Sequence, residues 1–192
     1  LGMRTSVPGL YAVGEAVGGH HGANRLSGNA LTEALVFGAV GGRVAAEDVH
    51  GGVATGPDAT ATARMAEAIA RIGEVRGRNV DSSVFLPALR SRLQRIMWDD
   101  VGPFRTEEGL TRASEALAAL REDHAAARVD ARPAMNLEWQ EWFELGMMLD
   151  VADVIIAAAT ERKESRGAHQ RDDFPGEDDA YLRNLRLRRG DG

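Results

Sequence analysis

The chain has 192 residues, of which 44% are hydrophobic and 27% charged, so it can form a hydrophobic core and is not disordered throughout. It contains no cysteine, which excludes thiol catalysis, disulfides and iron–sulfur ligation by this chain, and its net charge of −6 argues against a general nucleic-acid binder. It also lacks the run of about 18 apolar residues that would predict a membrane-spanning helix.

The first fifty residues predict a strand, a glycine-rich loop and a helix. Residues 5–9 read as a turn, and residues 10–13 as a short buried strand with no partner strand downstream. We therefore expect the sheet that holds this strand to lie outside the chain. The glycine-rich segment 14–28 favours unusual backbone angles. The helix that follows is predicted to take Asn29 as its N-cap and to end near Val49.

The remaining sequence predicts helices packed on helices. Apolar spacing indicates four helices, over about 59–77, from Leu86 to Met97, from Thr106 to about 128, and from Leu137 to Arg162. The last one should point eight side chains inward: Trp142, Leu145, Met148, Leu149, Ala152, Ile155, Ile156 and Ala159.

These elements predict a mainly α fold, in which a remnant βα piece precedes a helical bundle. The boundaries follow from shifts in composition. Residues 1–50 are assigned to the βα piece, 51–58 to a linker, 59–165 to the bundle, and 166–192 to a charged loop and tail.

The glycine-rich segment has the chemistry of a site for a polar cofactor or an anion. A carboxylate, Glu15, follows the predicted strand, and a guanidinium, Arg25, precedes the helix start at Asn29. Unpaired amides and the helix dipole favour an electron-rich group at that start, and an arginine fork suits a carboxylate. Plain tight packing of the glycines is the alternative interpretation.

Two motifs carry a resemblance to a known family. The segment VPGLYAVGEAVGGHHGANRLSGNALTEALVFG, and further on ESRGAHQRDDFP followed by DDAYL, resemble the succinate dehydrogenase/fumarate reductase flavoproteins, which include L-aspartate oxidase. The resemblance covers essentially all of this chain but only the carboxyl-terminal portion of such a flavoprotein. The family's dinucleotide fingerprint and capping domain have no counterpart here.

The resemblance implies roles for individual residues. Glu15 looks like the carboxylate that binds the sugar portion of FAD, and Arg25 like the arginine that clamps a substrate carboxylate, with His21 beside it in the same loop. Asn29, Ala30 and Leu31 match the helix start, where the backbone of the last two meets the flavin ring. Ser27 stands where glycine is usual, which leaves the substrate less certain than the cofactor. No catalytic residue and no metal ligand is expected in this chain.

The implied reaction is hydride transfer between a four-carbon dicarboxylate, succinate or fumarate, and FAD. The family's proton-shuttling arginine belongs to the capping domain, so the isolated chain should be inactive. An iron–sulfur subunit is the implied partner, and the location is cytoplasmic or the cytoplasmic face of a membrane. A fragment of L-aspartate oxidase and a non-enzymatic helical docking module remain alternatives. The lone strand could also pair two copies of the chain into a dimer.

A charged loop, residues 164–173, is the second candidate. Charged loops of this kind are most often solvated or ion-paired, and the spacing of its groups argues against a metal site. By the resemblance it clamps the bundle to the flavin domain, with Arg166 and Arg171 holding acidic groups across that interface. His20 and His124 show no obvious partners in the sequence.

Overall fold

The computed structural model describes residues 2–52, 59–75, 84–132 and 134–187. Within them lie five helices, α1 (Asn29–His50), α2 (Ala59–Glu74), α3 (Leu86–Asp99), α4 (Glu107–Ala126) and α5 (Leu137–Glu161), and two short strands, β1 (Phe104–Arg105) and β2 (Gln170–Arg171). The mainly α fold is confirmed. The chain divides into two units, Leu1–Arg64 and Met65–Gly192, while the predicted linker lies largely outside the described residues.

The predicted turn is present, but residues 10–13 form no strand among the described elements. The Thr5 amide donates to the Leu10 carbonyl at 3.0 Å, and Gly9 takes a φ of +79°. The chain therefore folds back on itself, and its pairing is reduced to one antiparallel bridge between Arg4 and Tyr11. Leu10 is 54% exposed, as expected of a segment whose sheet lies outside the chain, so its burial in that sheet stays a prediction.

The start of α1 differs by one residue from the prediction. Gly28 is the N-cap, with a φ of +86°, and Asn29 is the first helical residue. Glycine occupies this position because a left-handed conformation costs it little, whereas a Cβ would make it unfavourable. With no side chain at the cap, the first amides of α1 have no capping side chain to which they can donate a hydrogen bond.

The extended amino-terminal segment is fixed to α1 by packing and by charge. A Cβ at Gly41 would lie only 2.7 Å from Val13 Cγ1, so glycine is needed where the segment crosses the helix. Near the other end of α1, Asp48 accepts two hydrogen bonds from Arg4 and one from the Tyr11 hydroxyl, at 2.6–2.7 Å. Arg4 and Tyr11 lower the pKa of Asp48 to about 2.

The predicted bundle is confirmed, and its described core comes from α3, α4, α5 and their flanks. Local sequence sets the helix starts: the Thr106 hydroxyl accepts from the Gly109 amide at 3.0 Å, and the Asn136 carboxamide oxygen accepts from the Trp139 amide at 2.9 Å. The core of buried apolar side chains is centred on Leu89, Leu93, Leu110, Leu117, Leu120, Leu145 and Leu149.

Two expectations about packing are wrong. The first of the four predicted helices, α2, contributes no described side chain to this core, and Met65 and Ile69 on its apolar face are 55% and 63% exposed. On α5, Ile155 was expected to point inward but is 39% exposed. Helical spacing predicts an apolar face, but it does not specify which element covers that face.

Two short parallel strands bring the charged loop onto the connection between α3 and α4. Phe104 pairs with Gln170, and Arg105 with Arg171. The sequence did not predict this pairing, because strands of two residues leave no periodic signal. In the described part of the chain, the helices are too short or too polar to cross a membrane.

Candidate functional site

The glycine-rich segment adopts the unusual backbone that its composition predicted. Gly14, Gly19, Gly22 and Gly28 have φ values of +63°, +96°, +61° and +86°. Gly14 also begins a short 3-10 turn, Gly14–Ala16, in which the Val17 amide donates to the Gly14 carbonyl at 2.9 Å. An ordinary side chain would be strained at each of the four glycines.

The predicted cofactor and substrate residues are accessible. Glu15 lies exposed in the 3-10 turn rather than at the end of a strand, and Gly14 in the same turn lies against Ala34 of α1. Arg25 is exposed and makes no hydrogen bond or ion pair with any residue that the structure describes. Leu31 is 70% exposed. The segment thus presents a carboxylate, a guanidinium and uncapped helix amides to its surroundings.

Two adjacent histidines of the segment are held by α1. His21 Nε2 donates to Glu33 Oε2 at 2.8 Å, because a carboxylate can only accept. His20 Nδ1 lies 3.3 Å from Glu33 Oε1, and its ring stacks on Phe37 with centroids 4.8 Å apart. The absence of partners expected for His20 is therefore wrong. Glu33 and Phe37 were not predicted as partners of these histidines, because the sequence carries no signal for a contact between a loop and a helix.

Arg171 lies at the centre of the charged loop and is 1% exposed. Its guanidinium donates to both carboxylate oxygens of Asp173 at 2.7 and 2.8 Å, to Glu107 at 2.8 Å, and to the Ala159 carbonyl at 2.9 Å. The hydrogen bond from Arg171 holds the pKa of Asp173 well below its usual range. All three partners of Arg171 belong, like Arg171 itself, to the unit Met65–Gly192.

Glu164 forms a second buried ion pair beside the first. It is fully buried, accepts from Arg166 at 3.0 and 3.1 Å and from the Asp178 amide at 2.9 Å, and also pairs with Arg162. The hydrogen bond from Arg166 is the main reason that the pKa of Glu164 falls to about 2. Arg166 and Arg171 thus bind acidic groups within their own unit, and the expectation that they hold acids across an interface is wrong.

His169 is neutral within this loop. Its Nδ1 accepts from Arg105 at 2.5 Å, and its Nε2 donates to the Arg162 carbonyl at 3.0 Å. Arginine can only donate and a carbonyl can only accept, so the ring carries its hydrogen on Nε2. Burial, and then the charges of Arg105, Arg171 and Arg162, lower its pKa.

A buried histidine also supports the bundle core. His124 Nε2 lies 2.8 Å from the Trp142 carbonyl, the two rings stack at 4.6 Å, and the Trp142 indole donates to the His124 carbonyl. Burial is the main cause that lowers the pKa of His124. The absence of partners expected for His124 is therefore wrong.

Stability should fall as the pH drops below about 6.5. The pKa values of His124 and His169 are lowered in the folded chain, so below 6.5 the unfolded chain binds protons that the folded chain does not. Thermal unfolding of the chain at pH values from about 7.5 to 5 measures this loss. The His169→Gln variant should show a shallower loss, and an unchanged slope would contradict the assignment. His50→Gln, at an exposed histidine, is the control.

Comparison with known proteins gives consistent results. The family described as fumarate reductase flavoprotein C-term matches residues 90–188, and the family described as FAD binding domain matches residues 2–31. The fumarate reductase flavoprotein subunit of Mycobacterium tuberculosis is 38% identical over 182 residues, covering 93% of this chain and 31% of that protein. L-aspartate oxidase 1 of Ralstonia nicotianae is 39% identical over 173 residues, covering 90% of this chain and 30% of that protein.

Solved structures show the same likeness. Mycobacterium smegmatis Sdh1 in complex with UQ1 superposes with a TM-score of 0.83 at 33% identity, covering 98% of this chain and 31% of that one. A quinol fumarate reductase of E. coli superposes with a TM-score of 0.80 at 32% identity, covering 94% and 31%. The chain therefore spans about a third of the length of the relatives that it matches.

Proposed function

Because the chain belongs to the fumarate reductase flavoprotein family, we propose that it supplies part of the FAD and substrate sites of an enzyme that interconverts succinate and fumarate. The supporting observation is the junction of the glycine-rich segment with α1. There, a guanidinium with no partner among the described residues, an exposed carboxylate and an uncapped helix start lie within one stretch of chain.

The residues at this junction fit FAD. The first-turn amides of Ala30 and Leu31 lack a side-chain cap and can donate to the flavin ring, and a Cβ at Gly28 would meet nothing within 4 Å, which leaves room for a ligand. Glu15 can accept hydrogen bonds from the hydroxyls of the sugar portion. When bound, flavin supplies the hydride chemistry of the reaction.

Arg25 is the proposed clamp for one carboxylate of the substrate. Its planar guanidinium can form two parallel hydrogen bonds to a carboxylate, and none of the described residues competes for it. His21 instead keeps its Nε2 on Glu33, which suits a residue that shapes the loop. Proton transfer is assigned to residues outside this chain, so the isolated chain should not turn over substrate.

The exposed apolar face of α1 supports a larger flavin domain around it. Leu31, Leu35, Val36 and Val49 are 53–70% exposed, and apolar area of this size is normally buried. We propose that the rest of the FAD-binding domain covers this face. An iron–sulfur subunit would receive the electrons, and through such a partner the enzyme would work at the cytoplasmic face of a membrane.

The test is to purify the complete flavoprotein that contains this chain and to assay it with succinate, fumarate and L-aspartate. We expect a yellow protein that oxidises succinate or reduces fumarate. Oxidation of L-aspartate alone would favour the aspartate oxidase alternative. The 39% identity to such an enzyme supports that alternative. A complete protein without flavin would contradict the proposal and favour a docking module.

A further inference from the structure

We propose that Glu33 is a positioning residue that ties the glycine-rich segment to α1 and thereby fixes Arg25 for substrate. This inference rests on the proposed function, because it concerns the substrate-binding role assigned to Arg25. The relevant contacts are those of His20 and His21 with Glu33, together with the stack of His20 on Phe37.

The glutamate is built into the helix surface rather than free in solvent. Its side chain is only 8% exposed, and its buried Oε1 lies 3.3 Å from His20 Nδ1 but makes no hydrogen bond with the residues that the structure describes. A carboxylate oxygen left unpaired in a buried position is costly. The hydrogen bond that the other oxygen, Oε2, accepts from His21 at 2.8 Å offsets part of this cost.

The contacts of Glu33 with His20 and His21, here called the tether, act through their position along the chain. The segment is fixed at one end, where Gly14 lies against Ala34, and at the other, where Gly28 caps α1. A loop of this length samples many conformations. The contacts of Glu33 divide it near the middle, so that Arg25 lies between two fixed points, four residues after His21 and three before Gly28.

A guanidinium held in place binds better than a mobile one, because less freedom is lost when the substrate binds. The contribution of Glu33 should therefore appear in substrate affinity. It should depend on hydrogen bonding to the histidines rather than on the charge of Glu33. Glutamine can keep both contacts, because its carboxamide oxygen accepts from His21 and its NH2 group can donate to His20.

The experiment compares variants of the complete, flavin-loaded protein by calorimetric titration with fumarate and by steady-state kinetics. Glu33→Ala should raise the Kd and KM about tenfold, with flavin content and Tm close to those of the unmodified protein. For Glu33→Gln, the Kd and KM should stay within about threefold of those of the unmodified protein. The control is Glu47→Ala, at an exposed glutamate on the same helix, which should have no effect.

A double-variant cycle then tests the coupling directly. If Glu33 acts through His21, the pair Glu33→Ala and His21→Ala should weaken fumarate binding no more than either change alone. Additive effects, an unchanged Kd in Glu33→Ala, or loss of flavin and stability with an unchanged Kd in the remaining holoenzyme would each overturn the proposal. If Arg25→Ala also left fumarate binding unchanged, the proposed function itself would fail, whereas an effect in Arg25→Ala alone would reject only the tether.

Discussion

Arg171→Ala is expected to lower the free energy of unfolding by about 3 kcal/mol. The guanidinium is 1% exposed and bonds two carboxylates and a main-chain carbonyl. Its removal leaves Asp173 without its main partner, and the buried Ala159 carbonyl without the hydrogen bond from Arg171. It also releases the contact between β2 and the start of α4, because Glu107 belongs to that helix.

Urea unfolding of the chain measures this loss. A matched control is Arg121→Ala, because Arg121 also binds two aspartates, Asp150 and Asp153, but at the surface of the bundle. Exposed pairs of this kind contribute about 0–1 kcal/mol. Equal losses in the two variants would contradict the expectation that the buried contacts of Arg171 stabilise the bundle more than a surface ion pair does.

Arg25→Ala is expected to reduce the kcat/KM of the complete enzyme about a thousandfold or more, with flavin content unchanged. The variant loses a bidentate, charge-assisted contact to the substrate carboxylate, and water does not replace its orienting effect. Because the proposed flavin contacts come from backbone amides and from Glu15, the cofactor should stay bound.

Steady-state kinetics and the flavin absorbance of the purified variant measure both quantities. Arg25→Lys keeps the charge but loses the planar fork, so its kcat/KM should lie between those of the unmodified enzyme and Arg25→Ala. Arg43→Ala provides the control, since Arg43 is also exposed and unpaired among the described residues but lies further along α1. Turnover in Arg25→Ala equal to that of the control would contradict the proposed role of Arg25 in binding the substrate carboxylate.

The helices could be predicted from the sequence because their signals are local. Thr106 and Asn136 cap α4 and α5, Pro87 lies in the first turn of α3, and the apolar spacing follows the core faces. The one-residue error at the start of α1 also has a local cause. Asparagine and glycine both suit a helix cap, and only the backbone angle decides between them.

The errors arise where distant segments meet. The partners of Arg171 lie up to 64 residues away, and the β1–β2 pairing that brings them together has no sequence signal. The capture of His20 and His21 by Glu33 depends on how a loop folds onto a helix, and neither spacing nor composition encodes it. The predicted strand at 10–13 is reduced to one bridge, because the turn before it returns the chain to Arg4.

The most direct measurement is the distance between the Arg25 guanidinium and the nearest carboxylate oxygen of fumarate, in a crystal structure of the complete flavoprotein with that ligand. If the loop and helix start form half of the pocket, this distance should be about 2.7–2.9 Å, with the flavin ring against the amides of Ala30 and Leu31. A fumarate bound elsewhere, with Arg25 beyond about 4 Å and turned into solvent, would contradict the account.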